Sequence, residues 1–448
     1  METFFTKDKN FYKVFFRLML VVALQNLVAY SVNMLDNMML GSYDQNALSG
    51  AATVNQIFFV VNQLAIAIGN ALIVMSSQYW GKKDTYAIRK LTGIVLIFSL
   101  LAAMLILVIC SAFPEQLLGL FTTSPDIIME GQTYLKILKW TFVLFLISNL
   151  LISMLRSVET VQISFVVSVI SLIVNGGINY TLIFGHFGFP EMGIKGAAIA
   201  TVLGQLLSTA LGVYITRHKV KEIHTDFKHF HFDASLVKEM YKIAIPSMLM
   251  NSIMSIMTVF MNMILSGFSA LSVSVYSIYF KLQQFLYMAV SGMSNAVIAI
   301  ISYNYGARNK ERIKSCIRIS LISTIIIMIS GTVIFQLFPV QLLSLFNASD
   351  EMLSIGIPAL KTISLSFVFG GVNVQGCAIL QSLDSSKESL VVTLLRQFII
   401  ILPLAFALSK MFGLNHVWFA FPVSELVALI LCIRFLKEVD EDFIENLN

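Results

Sequence analysis

The sequence predicts an all-α membrane protein: twelve transmembrane helices in two pseudo-symmetric six-helix bundles, arranged as parallel repeats. Three observations predict it. The composition is apolar over the whole length, uncharged runs of spanning size recur along the chain, and the second half repeats the first at an offset of 225 residues.

Composition comes first. Of 448 residues, 57% are apolar or aromatic and 12% are charged, against about 25% charged in an ordinary soluble protein. The mean hydropathy of +0.82 does not describe a chain that hides apolar groups inside a water-soluble core. Soluble enzymes, disordered proteins and secreted disulfide scaffolds are thereby excluded. The net charge of +5, from 30 Lys and Arg against 25 Asp and Glu, forms no nucleic-acid patch, and no nucleic-acid partner is expected. Cys110, Cys316, Cys377 and Cys432 lack CxxC spacing and read as inert membrane cysteines, not as a disulfide or metal framework. The N-terminal segment leads into an apolar run without a small-residue cleavage site, so it reads as a retained first helix.

The spans come next. A membrane-crossing helix needs about 20 apolar residues at about 1.5 Å rise each. Uncharged runs of that order occur at 18–35, 45–81, 91–114, 140–155, 160–185 and 196–216, then at 243–280, 282–307, 319–349, 362–383, 397–409 and 411–424. Asp36, Lys281 and Glu425 interrupt them, so some helices extend beyond or share these runs. Lys and Arg set the orientation. With the N-terminus inside, cytoplasmic segments hold 24 of the 30, while the outer loops hold Lys136, Lys139, Lys195, Lys361 and Lys410, and Lys281 is left inside a helix. The chain is expected in the cytoplasmic membrane with both termini cytoplasmic. The one long hydrophilic connection divides it into an N-terminal six-helix lobe (1–216), a linker (217–239) and a C-terminal six-helix lobe (240–448). His218, His224, His229 and His231 cluster there, in what reads as a solvated linker more than a metal site.

The repeat is specific. At an offset of 225, Asn70-Ala71 matches Asn295-Ala296, Trp80-Gly81 matches Tyr305-Gly306, and the segment from Phe113 and Pro114 matches that from Phe338 and Pro339. Leu155-Arg156-Ser157 likewise matches Leu380-Gln381-Ser382. The offset becomes 220 after the fifth span, aligning Gly193 with Gly413 and Ala200 with Ala420. Six helices per repeat is an even number, so both repeats enter the membrane from one side, and a central cleft is the expected substrate site.

Charged and polar residues inside the spans then need an explanation, since a charge at the bilayer centre costs about 2.5–3.5 kcal/mol on insertion scales. Asp36 lies about 22 residues into a first helix starting near Val14, roughly 30 Å along it and in the outer half of the bilayer. Asn33 shares its face. Asn175 and Asn179 reach a similar depth on the fifth helix, and Thr201 on the sixth. A carboxylate, two amide oxygens and a hydroxyl are hard ligands that suit a small cation such as Na⁺, or a proton relay. The repeat register replaces Asp36 by Met261, Asn175 by Ile400, Asn179 by Leu404 and Thr201 by Phe421. Helix packing therefore does not require the polar set, which favours a cation site over a structural hydrogen-bond cluster. Like Asn33, Glu425, placed near the middle of the last helix, and Lys281 are candidates for the substrate cleft or a second polar site. They can equally neutralise each other or a neighbour, and Lys281 can snorkel. The 22 Met and 35 Phe suit a pocket for flat, lipophilic, often cationic molecules, although most of them simply fill membrane helices.

These residues resemble the multidrug and toxic compound extrusion family of secondary transporters. Leu35-Asp36-Asn37-Met38-Met39-Leu40-Gly41 is similar to the family's Asp-containing motif with its glycine turn. Ser77-Gln78-Tyr79-Trp80-Gly81-Lys82-Lys83-Asp84 resembles its Ser-Gln-x-x-Gly-Ala-x-Asp segment, echoed from Asn304 to Asn309, and 175–185 followed by 193–201 resembles its fifth- and sixth-helix signature. The resemblance implies two six-helix lobes exporting drugs by alternating access in antiport with Na⁺ or H⁺, with no cofactor. It also implies a cation site in the N-terminal lobe of one branch, at positions matching Asp36, Asn175, Asn179 and Thr201. That branch carries a second Asp where this chain has Asn179. Another branch uses a Glu where Ser252 stands, and a first-helix proline is Val21 here, though its counterpart Pro246 is present.

The expected function is therefore secondary active multidrug efflux, with small lipophilic or cationic substrates and the bilayer as partners, and a monomer as the working unit. The alternative is a related lipid-linked precursor flippase. It favours a basic, Arg-lined cavity, whereas Lys281 is the one clear basic residue this reading places deep in a helix. No HExxH or paired intramembrane aspartates suggest an enzyme.

Overall fold

The computed structural model describes residues 9–158, 161–218, 232–346 and 348–447. The first repeat runs through α1 (Lys9–Tyr43), α2 (Gln45–Gly81), α3 (Thr85–Ala112), the short α4 (Pro114–Gly119), α5 (Pro125–Ser157), α6 (Val161–Phe184) and α7 (Ile194–His218). The second runs through α8 (Ala234–Ser266), α9 (Ala270–Gly306), α10 (Lys310–Leu337), α11 (Pro339–Ser344), α12 (Asp350–Ser364), α13 (Phe367–Ser382), α14 (Ser386–Leu394), α15 (Ile401–Met411), α16 (Leu414–Val417) and α17 (Ala420–Val439). Among the described residues, eleven helical stretches are long and apolar enough to cross a membrane, and α12 with α13, bent by 49°, makes a twelfth.

Local chemistry explains why the two halves start and stop in register. Asp44 caps α2 by accepting from the Ala47 N–H at 2.7 Å, and Ser269, 225 residues on, caps α9 from Ser272 at 3.1 Å. Asp84 and Asn309 do the same for α3 and α10, at 2.9 and 3.1 Å. Each such cap satisfies a backbone donor left over at a helix start. Lys83 and Arg308 both take the left-handed conformation, at φ of 60° and 55°, turning α2 into α3 and α9 into α10. Pro114 and Pro339 open α4 and α11, where their missing N–H costs nothing. Even a tertiary bond recurs: the Ser77 hydroxyl donates to the Ser157 carbonyl at 3.2 Å and Ser302 to Ser382 at 3.1 Å.

The described residues of Leu24–Ala244 form one compact unit, and those of Met1–Ala23 and Ile245–Asn448 the other. Thus α1 and α8 each change unit part-way along. The first unit is built around Val54, Phe142, Ile183 and Ala198, the second around Met261, Tyr276, Phe367 and Trp418. In the second, Gly292 lets α9 approach α1 so closely that an added Cβ would lie 2.8 Å from Ala23 Cβ. Of the expected linker 217–239, residues 219–231, with His224, His229 and His231, lie outside the described residues. His218 stacks on Tyr214 with ring centroids 4.5 Å apart. Outside the spans, Lys310 and Lys314 hold the Glu445 carboxyl down to about 2 and fasten the C-terminal tail.

Two departures of the second unit from the first bear on its charged residues. Where α5 is continuous, its counterpart breaks between α12 and α13. Where α6 is regular, its counterpart contains a π-helical turn, Leu395–Ile399, between α14 and α15. That turn carries Arg396, which corrects the charge tally drawn from hydropathy: Arg396 is a buried intramembrane residue inside the span Ser386–Met411, not a cytoplasmic one. Hydropathy ends a run at any charge, so it set the start of this span after Arg396. Lys281 is accordingly not the one basic residue deep in a helix. Arg156, the penultimate residue of α5, donates to Gln25 Oε1 at 2.7 Å. Glu425 also sits nearer the start of its helix than expected, in the second turn of α17.

Candidate functional site

In the first unit, four helices bring polar groups together. Asp36 sits two turns from the end of α1, and Asn175 and Asn179 sit one turn apart on α6, as i and i+4 neighbours on one face. The Asn179 amide donates to Asp36 Oδ1 at 2.5 Å and to Asn175 Oδ1 at 3.3 Å. Asn179 is fully buried and Asn175 nearly so. Thr201, on α7, donates to the Ala197 carbonyl at 3.0 Å and is hydrogen-bonded to the buried Tyr134 of α5, which feels the charge of Asp36. The structure therefore links Asp36 and Asn175 through Asn179, while Thr201 is bonded to Tyr134 and makes no bond to the three. Asn33 is on α1, but its side chain lies outside the described residues.

Two glycines allow this approach. A Cβ on Gly204 would meet Asn175 Cβ at 2.9 Å, and one on Gly196 would meet the Leu182 backbone at 2.7 Å. With any larger residue at either position, α7 cannot lie this close to α6.

Asn179 spends its two donor hydrogens on Asp36 and Asn175, and its own Oδ1 is buried without a hydrogen-bond partner among the described residues. A buried polar atom left unpaired costs about 1–3 kcal/mol. An acceptor of this kind beside a carboxylate and a second amide oxygen is an oxygen set into which a desolvated monovalent cation, or a proton on Asp36, fits. No Lys, Arg or His pairs with Asp36 among the described residues.

The repeat counterparts show what the fold does with the same place when no such site is built. Met261, Phe421 and Ala359, the counterparts of Asp36, Thr201 and Tyr134, lie in one buried apolar cluster, with Leu404, the counterpart of Asn179, packed against it. Tyr134 was not singled out from sequence. Its only signal is that it pairs with Ala359 in the 225 register.

A second polar cluster occupies the other unit. Arg396 Nη1 donates to Glu425 Oε1 at 2.7 Å. The Asn373 amide, on α13, donates to Glu425 Oε2 at 2.7 Å and to the Glu425 backbone carbonyl at 2.9 Å. Tyr287 of α9 lies against the same groups, and a Cβ on Gly370 would meet its hydroxyl at 2.5 Å. Two of this unit's unusual backbone features border the cluster: Arg396 rides on the π turn at Leu395–Ile399, and Asn373 follows the α12–α13 break. In the repeat register, Glu425 and Asn373 replace Gln205 and Ser148, which are hydrogen-bonded to each other in the first unit. Lys281 stands apart, with its ammonium 5.9 Å from the centre of the Phe346 ring. The neighbour that neutralises Glu425 is thus Arg396.

Residues 22–181 and 246–407 match the family model described as MatE. The chain is 25% identical over 405 residues to the Probable multidrug resistance protein NorM of Thermotoga maritima, across 88% of this chain and 85% of that protein. It is 23% identical over 436 residues to the Multidrug export protein MepA of Staphylococcus haemolyticus, across 96% and 94%. A solved mutant structure of the Vibrio cholerae MATE transporter VcmN superposes with a TM-score of 0.89 at 18% identity, over 97% of this chain and 98% of that one.

Proposed function

Because this chain belongs to the MatE family of multidrug transporters, we propose that it exports lipophilic, often cationic compounds in antiport with Na⁺ or H⁺, and that Asp36 is its coupling acid. The observation that carries this reading is the hydrogen-bonded set of Asp36, Asn179 and Asn175, in a place the other repeat fills with apolar side chains.

The mechanism follows from charge. An ionised Asp36 inside the bilayer is unfavourable unless something neutralises it. A cation entering the oxygen set of Asp36, Asn175, Asn179 and Thr201, or a proton on the carboxylate, removes that charge. A ligand shifts a conformational equilibrium only by its difference in affinity between the two states. Neutralising Asp36 therefore favours the conformation that releases substrate outward. Return of the cation to the inside restores the ionised carboxylate and the state that takes up substrate. The chain works as a monomer in the cytoplasmic membrane with both termini inside. The Lys and Arg distribution supports that orientation with Arg396 and Arg156 set aside.

The test is export of a fluorescent cationic dye by the protein reconstituted in proteoliposomes, with Na⁺ and H⁺ gradients imposed separately. One of the two gradients is expected to drive the dye uphill, which identifies the coupling ion. Equal silence towards both gradients contradicts the proposal.

A further inference from the structure

Glu425 is the second carboxylate within a span whose charge needs compensation, and its circumstances differ from those of Asp36. Both of its oxygens are taken, Oε1 by Arg396 at 2.7 Å and Oε2 by Asn373 at 2.7 Å. The side chains of Arg396 and Glu425 are only 10% and 14% exposed. A guanidinium does not lose its proton under physiological conditions and pairs with carboxylates in a fixed fork, so this positive charge is permanent. It is also tethered, held on the π turn of the neighbouring span.

We propose that Arg396 occupies on Glu425 the place that a transported cation takes on Asp36, so that the second unit supplies its own counter-ion and each transport cycle couples to one cation. The proposal rests on the reading of Asp36 as the coupling acid.

The surroundings are consistent with a site closed to exchange. The other titratable groups that interact with Glu425 are Tyr279 and Tyr287 from α9, Cys377 from α13 and Cys432 from α17. All four are of types that are ordinarily uncharged near neutrality. No second carboxylate faces the pair among the described residues. A free cation approaching Glu425 meets a carboxylate already paired and a guanidinium that repels it. At Asp36, among the described residues, it meets a carboxylate bonded to a neutral amide and faced by no fixed cation; an amide oxygen without a partner stands at both places, Asn179 Oδ1 and Asn373 Oδ1, so the guanidinium is the difference. The fold itself asks for no charge at the Glu425 position, since Gln205 and Ser148 satisfy the equivalent place in the first unit with a neutral hydrogen bond.

The contrast yields an experiment with three variants. Arg396→Gln removes the tethered cation and leaves Glu425 to be neutralised from solution. Arg396→Met/Glu425→Gln removes both charges together, an exchange that buried ion pairs often tolerate. Arg396→Gln/Glu425→Gln is the control for the first. Two readouts apply to each: the cation dependence of dye transport in proteoliposomes, and pH-difference infrared absorption of buried carboxyl groups.

The wild type and Arg396→Met/Glu425→Gln are expected to show a Hill coefficient for the coupling cation of about 1. Arg396→Gln is expected to move it towards about 2 and to gain a carboxyl band that disappears in Arg396→Gln/Glu425→Gln. The proposal is overturned if Arg396→Gln gains neither, or if Arg396→Met/Glu425→Gln loses cation coupling. Should Arg396→Gln fail to fold, the charge-neutral double variant decides alone. Cation-driven transport that survives Asp36→Asn overturns the coupling role of Asp36 instead, and the infrared band of Arg396→Gln still reports on Glu425 independently.

Discussion

Asp36→Asn is expected to abolish cation-driven export while leaving the protein folded. Asparagine keeps the volume of the side chain and an oxygen that accepts from Asn179, so the α1–α6 contact at 2.5 Å has a neutral replacement. What disappears is the charge whose neutralisation we propose drives the conformational change. Coupling free energies of about 1–3 kcal/mol correspond to affinity changes of about 5–150-fold, and the variant forfeits all of this. Cells expressing Asp36→Asn at wild-type level should accumulate cationic dye as fully as cells without the transporter. Full drug resistance at equal expression contradicts the assignment.

The largest structural effect is expected at Gly196. A Cβ there lies 2.7 Å from the backbone carbon and oxygen of Leu182, and backbone cannot swing aside as the end of a long side chain can. Gly196→Ala is expected to destabilise the first unit by about 1–3 kcal/mol, the usual cost of overpacking, and Gly196→Leu to prevent α6 and α7 from closing at all. Thermal stability of the detergent-solubilised protein, followed by size-exclusion chromatography, checks this. Gly119→Ala is the control, because nothing lies within 4 Å of the added carbon. Equal melting of Gly196→Ala and the wild type contradicts the close α6–α7 approach.

Much of this architecture is legible in the chain because its helix boundaries are set by local chemistry. Asp44 is visible as a polar residue immediately before an apolar run, and the 225 register ties it to Ser269, and Asp84 to Asn309. The same register singles out Asp36, Asn175, Asn179 and Thr201 before any contact is known, since each meets an apolar residue in the other half. Other features depend on tertiary partners. Arg396 reads as a span boundary until Glu425, 29 residues later, is seen to neutralise it. Tyr134 meets Thr201 only because α5 packs beside α7. The α12–α13 break lies at Leu365 and Ser366 within an unbroken apolar run, while Pro358, the residue that suggests a kink, sits inside a continuous α12. Side chains of distant helices, not local propensity, decide such places.

The central claim is that cation binding at Asp36 and substrate binding are thermodynamically linked. Equilibrium binding of a fluorescent cationic dye to the purified protein tests it most directly, by fluorescence polarisation against rising Na⁺ at fixed pH and falling pH at fixed ionic strength. The wild type is expected to lose dye affinity by about 5–150-fold as one of the two cations saturates, while Asp36→Asn binds dye with an affinity that neither cation changes. The same loss of affinity in Asp36→Asn as in the wild type would place the coupling site elsewhere and contradict the account.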